Sequence, residues 1–153
     1  MVTASIVILT FNRNDHLERG LRELMQLETP GLEIIVVDNA STVPAAEVAQ
    51  SFPAVRVIRS PQNLGASGRN LGLEAARGEI VITLDDDVRG LTDAAIRQLV
   101  AAFEDRTLGA VNFKVIEDGT GALTNWVHHR EAEQFADAGF DTYEITEGAV
   151  ALR

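Results

Sequence analysis

Short apolar runs recur along the chain at residues 5–9, 33–37, 55–58 and 79–84, and each is rich in Ile and Val. Runs of this kind read as strands buried on both faces, as central positions of a parallel sheet require. Between them the apolar period changes to that of a helix. Leu17, Leu21, Leu24 and Met25 fall on one helical face, opened by Asp15 and Glu18 as an acidic variant of a capping box and stopped by Pro30-Gly31. A short helix is predicted over 45–50, and a longer one over 64–77 with Gly78 as its C-cap. Thr92 is predicted to cap a helix whose inner face carries Ile96, Leu99, Val100 and Phe103. A fifth strand is predicted over 109–115, followed by a turn at 117–121. Beyond it the pattern weakens to strands at 123–127 and 143–146 and a short helix at 131–136.

This alternation predicts an α/β domain with a mostly parallel sheet and helices on both faces. The 153 residues fit one domain, and no repeat, low-complexity tract or linker divides them. Composition narrows the function. The formal net charge is −10, which disfavours nucleic acid as a partner. There is no Cys, so disulfides, thiolate metal sites and thiol nucleophiles are excluded; a reducing, cytoplasmic setting fits. No apolar run reaches the roughly 20 residues of a membrane-spanning helix, and the N-terminus lacks the features of a signal peptide.

Ligands of open parallel sheets sit at the carboxyl ends of the strands. Those ends carry Thr10 and Asn12, Asp38, and the run Asp85-Asp86-Asp87. Three adjacent carboxylates after a buried strand repel one another, and a hard divalent cation relieves that conflict. In an extended segment Asp85 and Asp87 share one side and Asp86 takes the other. The bland alternative is a solvated acidic turn, or a cap for the following helix. Around Arg69, the stretch 63–70 opens a helix with small residues that allow close backbone approach. It matches neither the dinucleotide-binding glycine pattern nor a P-loop. Arg69 suits a base or a phosphate, or a surface ion pair. His128 and His129 offer a third metal ligand, although adjacent histidines point apart in a strand. Trp126 reads as core or as a stacking platform for a sugar.

Taken in order, residues 5–13, Val36-Val37-Asp38-Asn39-Ala40-Ser41, Asn63-Leu64-Gly65 with Gly68-Arg69-Asn70 and Gly72, and Leu84-Asp85-Asp86-Asp87 resemble the motifs of family 2 glycosyltransferases. Residues 147–153 resemble the small-residue segment that precedes that family's acceptor-side motif. The resemblance implies a GT-A fold of the nucleotide-diphospho-sugar transferase type. It implies metal-dependent, inverting transfer of a sugar from a nucleotide-diphosphate sugar, a UDP- or dTDP-sugar by family habit, to an acceptor hydroxyl. Thr10 and Asn12 would then border the nucleotide, Asp38 hold the base, and Arg69 contact base or phosphate. Asp85 and Asp86 would lie near the ribose and diphosphate. Asp87, with Asp85 as a second candidate, would ligate Mg2+ or Mn2+ in the manner of a DXD motif.

The resemblance also implies a general base beyond residue 153, since Asp141, Glu144 and Glu147 do not match that motif. The expectation is a single GT-A-like domain over 1–153, cut before the acceptor motif, in which donor binding outlasts efficient transfer. Uncovered apolar surface would favour self-association, and a longer form would sit peripherally at a membrane. The competing readings are a nucleotide-sugar-binding module without turnover and, ranked lower, a nucleotidyltransferase.

Overall fold

The computed structural model describes residues 3–122, 139–146 and 148–153. The elements run β1 (Ala4–Thr10), α1 (Asn14–Leu24), β2 (Leu32–Asp38), α2 (Ala45–Ala49), β3 (Val55–Arg59), a 3-10 turn (Gly65–Gly68), α3 (Arg69–Ala75), β4 (Ile80–Asp85), α4 (Asp93–Ala102), β5 (Ala110–Asn112) and β6 (Ala149–Leu152). They form a six-stranded sheet in the order β3-β2-β1-β4-β6-β5. The first four strands in that order are mutually parallel, and β6 runs antiparallel to both β4 and β5.

Strand parity sorts the side chains between the two faces. Ile6, Ile8, Ile34, Val36, Ile82 and Leu84 pack with Leu17 and Leu21 of α1 and with Ile96 and Leu99 of α4. Val7, Ile35 and Val37 pack on the opposite face against Leu71 and Ala75 of α3. Helices therefore cover both faces, as the near-continuous apolar strands require.

Glycines bring α3 close to the sheet. A Cβ at Gly72 would lie 2.3 Å from Val7 Cγ1 and 2.9 Å from Val37 Cγ2. One turn earlier, a Cβ at Gly68 would lie 3.0 Å from both Leu9 Cδ1 and Asn39 Oδ1. Close packing of α3 thus accounts for these two small residues.

Several local expectations change. Helix α1 begins one residue before Asp15, with Arg13 at its N-cap and no side-chain cap bond, so Asp15 lies inside the first turn and acts on the helix dipole instead. Met25 ends the helix and is exposed. Helix α3 stops at Ala75 because Ala76 is extended, and Gly78 is not its C-cap. A Cβ at Gly78 would come within 2.6 Å of the Ser5 backbone nitrogen, so its smallness serves contact with β1. Thr92 does cap α4, its hydroxyl accepting from Ala95 N at 3.2 Å, while Val100 lies at the exposed edge of that helix. Strand β5 is shorter than predicted. Residues 143–146 form no strand; the Asn112 amide binds them by donating to Glu144 O and accepting from Thr146 N. The last strand is β6 instead. The elements predicted at 123–127 and 131–136, with Trp126, His128, His129 and Glu147, lie outside the described residues.

Candidate functional site at the strand ends

Because β1, β2 and β4 are parallel and in register, their carboxyl ends meet at one edge. Thr10 is level with Asp38, and Leu9 with Asp85. Strand β4 ends at Asp85, after which the chain turns, with Val88 N donating to Asp85 O at 3.1 Å. The extended geometry expected for the acidic run therefore stops at its first residue, and Asp85 parts from Asp87, so the two do not share one side as expected.

Asp85 follows the parity of the α3 face and pairs with Arg69, the first residue of α3. Asp86 turns inward. It is 4% exposed and accepts from the Thr10 hydroxyl at 2.7 Å. Asp87 stays exposed. The guanidinium of Arg13 joins these last two, with one nitrogen 3.0 Å from Asp86 Oδ1 and the other 2.9 Å from Asp87 Oδ2. The repulsion within the acidic run is thus answered by two arginines and a hydroxyl. Burial pushes the Asp86 carboxyl above the usual carboxylate range, Asp87 adds to that, and Thr10 and Arg13 only partly offset it. Burial by itself would lower the Arg13 guanidinium, but the neighbouring Asp86 and Asp87 outweigh it and raise it.

Asp38 is fully buried. Its oxygens accept from Ser41 N at 2.8 Å and Ala45 N at 3.0 Å, and it pairs with Arg59 at 2.5 Å. Pro44 at the start of α2 makes no cap bond, so Asp38 supplies the acceptor that the helix start needs. Burial raises the Asp38 carboxyl, yet these donors outweigh burial and hold it below the ordinary value. Asn12 adopts a φ of 55°, a conformation Asn tolerates better than most residues. It links two loops, its N–H donating to Ser41 Oγ and its side-chain oxygen accepting from Thr42 N.

Sequence reasoning passed over four residues at this edge. The sequence shows Arg13 only as a member of a motif, because its partners lie more than seventy positions away. Arg59 bridges Asp38 and the Ser41 carbonyl from the end of β3. Asn39 is buried and fastens the loop before α3, donating to Asn63 Oδ1 and Gly65 O and accepting from Leu64 N. Phe11 stands 42% exposed between Thr10 and Asn12. An aromatic residue set among polar, turn-prone neighbours directly after an apolar run is the signal the sequence offers for it.

The donor set suits a hard divalent cation. All donors are carboxylate oxygens, and Asp86 and Asp87 already converge on one positive group. Among the described residues no group of three or more acidic, His or Cys side chains is arranged to hold a metal.

The mixed, mostly parallel six-stranded sheet is that of the GT-A class, the fold of the glycosyltransferase structures it superimposes on. The chain belongs to glycosyl transferase family 2, whose family model matches residues 5–149. It is 28% identical over 143 residues to the putative teichuronic acid biosynthesis glycosyltransferase TuaG of Bacillus subtilis (strain 168), covering 88% of this chain and 56% of that protein. The crystal structure of S. aureus TarS 1-349 in complex with UDP-GlcNAc superimposes with a TM-score of 0.69 at 21% identity, over 82% of this chain and 38% of that one. The mannosyltransferase PcManGT from Pyrobaculum calidifontis, in complex with GDP-Man and Mn2+, superimposes with a TM-score of 0.61 at 28% identity, over 74% and 35%. The chain therefore spans little more than half the length of TuaG and less of the two solved structures. Among the described residues no helix is long and apolar enough to cross a membrane.

Proposed function

We propose that this chain forms the donor-binding part of a metal-dependent, inverting glycosyltransferase, taking a nucleotide-diphosphate sugar at the edge formed by β1, β2 and β4. One observation carries the reading. In a chain of this family, Asp86 and Asp87 are drawn together on a single cationic group at the end of β4. PcManGT, with its GDP-Man and Mn2+, supports the same ligand classes here.

The chain's residues then divide the work. Asp87, the most exposed of the run, and Asp86 hold the divalent ion, with Asp85 as a further candidate. Bound Mg2+ or Mn2+ supplies Lewis acidity to the departing nucleoside diphosphate. Arg69, held against Asp85, contributes positive charge beside the diphosphate, and Arg13, which spans Asp86 and Asp87 without ligand, yields them to the ion. Thr10 keeps Asp86 oriented. Asn12 sets the loop that borders the nucleotide, and Phe11 offers a face for the base. Asp38, with both oxygens engaged, shapes the seat of the base through Ser41, Ala45 and Arg59. The acceptor hydroxyl attacks the anomeric carbon opposite the leaving diphosphate, which inverts the configuration there, and its proton passes to a general base that is none of the residues named above.

Calorimetric titration with UDP, dTDP and GDP, with Mn2+ and with EDTA, tests the donor site and identifies the base. Incubation with the matching nucleotide-sugar and a panel of acceptors then separates the readings. Glycosylated product supports transfer. Binding with no product supports a binding module instead. A parallel incubation with a nucleoside triphosphate and a sugar 1-phosphate tests the third reading, and release of pyrophosphate there would mark a nucleotidyltransferase and overturn both.

A further inference from the structure

We infer that Arg89 is a positioning residue for the acidic turn, fixing the main chain of Asp86 against α1. The inference rests on the donor-site reading for its functional consequence, although the geometry stands apart from it. The Asp86 side chain is held from one direction by Thr10 and Arg13. Its backbone is held from another. Arg89 NH1 donates to Asp86 O at 2.8 Å and to Val88 O at 3.1 Å, and NH2 donates to His16 O in the first turn of α1 at 2.7 Å. One guanidinium thus bonds three carbonyls, two on the acidic turn and one on the helix.

The surroundings are shaped for this fork. Gly20 of α1 faces it, and a Cβ there would stand 3.1 Å from Arg89 NH1. Glu23, one helical turn further along α1, lies 3.9 Å from Arg89 Nε and also accepts from Gly90 N at 3.3 Å. Gly90 takes a φ of 82°, which lets the chain leave the turn towards α4. A planar guanidinium serves several acceptors in fixed directions, and an ammonium does not. Arg89 is 27% exposed along its side chain and, apart from its ion pair with Glu23, holds main-chain carbonyls, so its effect on a ligand passes through the position of Asp86 and Asp87.

Two readouts on the full chain test this. The variants are Arg89→Met and Arg89→Lys, with Arg106→Met as a control, since Arg106 is an exposed residue paired with Glu79. The first readout is amide hydrogen exchange without ligand. Arg89→Met is expected to exchange faster at residues 86–90 than the wild type, with the amides of β1 and β2 unchanged. Uniform acceleration, or none at the turn, would overturn the inference, since a purely structural loss opens the whole core together. The second readout is the gain in UDP or GDP affinity on adding Mn2+. Arg89→Met is expected to lose at least about tenfold of that gain, the effect of disturbing the support behind metal ligands, while affinity in EDTA stays within twofold. Retention of the full gain would overturn the functional part. Should Arg89→Met not fold, Arg89→Lys keeps the charge without the fork and is expected to show the same pattern at about threefold. Selective exchange at the turn, combined with no nucleotide binding by the wild type, would uphold Arg89 and overturn the donor-site reading.

Discussion

The Thr10 hydroxyl at the end of β1 donates to Asp86 Oδ2 at 2.7 Å, joining two residues 76 positions apart inside the edge of the sheet. Both are buried, so the bond favours the ionised carboxylate where burial opposes it. Thr10→Val keeps the shape and removes the donor. It is expected to cost about 1–3 kcal/mol at pH 7. The Asp86 pKa lies above its unfolded value, so its contribution to stability is fully present below the unfolded pKa and is lost as pH rises through the folded one. Losing Thr10 raises the folded value further. The deficit should therefore grow with pH, and urea unfolding of both proteins from pH 4 to pH 8 checks it. A deficit that shrinks as pH rises would contradict this.

Asp38 carries the opposite sign. Its folded pKa is depressed, so its stabilisation is present above the unfolded value and fades as pH falls through the folded one. Asp38→Asn sets an amide against Ser41 N, Ala45 N and Arg59. The expected loss is about 2–4 kcal/mol at pH 7, converging on the wild type at low pH. Denaturant midpoints at pH 7 and pH 3 give the comparison.

Two glycines should differ in cost. A methyl at Gly72 meets the Cγ atoms of Val7 and Val37, stiff buried side chains that can yield only through small shifts, whereas at Gly78 it meets the backbone of Ala4 and Ser5, which yields less. Gly72→Ala is expected to lose about 1–3 kcal/mol, and Gly78→Ala more. Thermal unfolding ranks them, and the reverse order would count against the packing described for the start of β4.

Much of this frame was legible because it is local. The parity of Ile and Val in residues 5–9 and 33–37 assigns both faces of the sheet, and Thr92 announces α4. Strand β6 was not legible. Its Ala149, Val150 and Ala151 are small, and only pairing with β4 and β5 makes them a strand. The counter-charges of the acidic run escaped for a related reason. Asp85, Asp86 and Asp87 are adjacent in sequence, but Arg13 reaches Asp86 and Asp87 from the loop after β1, and Arg69 reaches Asp85 from the start of α3. A local reading sees the repulsion and supplies a metal for all of it, whereas the fold supplies two arginines for part of it.

Arg13 therefore occupies the region proposed for the cation. Arg13→Met leaves Asp86 and Asp87 facing each other without that charge. The variant is expected to melt lower than the wild type in EDTA and to gain more from Mn2+ or Mg2+, because a ligand bound only by the folded state stabilises it by mass action. Melting curves with and without each ion test this. Equal gains in both proteins would show that the ion does not bind at these carboxylates.

The central claim is that a nucleoside diphosphate binds at the end of β4 through a metal held by Asp87 and its neighbour. The most direct measurement is calorimetric titration of the wild type and Asp87→Ala with UDP, dTDP and GDP, each in Mn2+ and in EDTA. Asp87 is exposed at the tip of the turn, so Asp87→Ala should fold normally. The account predicts Mn2+-dependent binding of one nucleotide by the wild type, and loss of that dependence in the variant. Binding that survives Asp87→Ala with its Mn2+ dependence intact, or no binding of any nucleotide by folded wild-type protein, would contradict it.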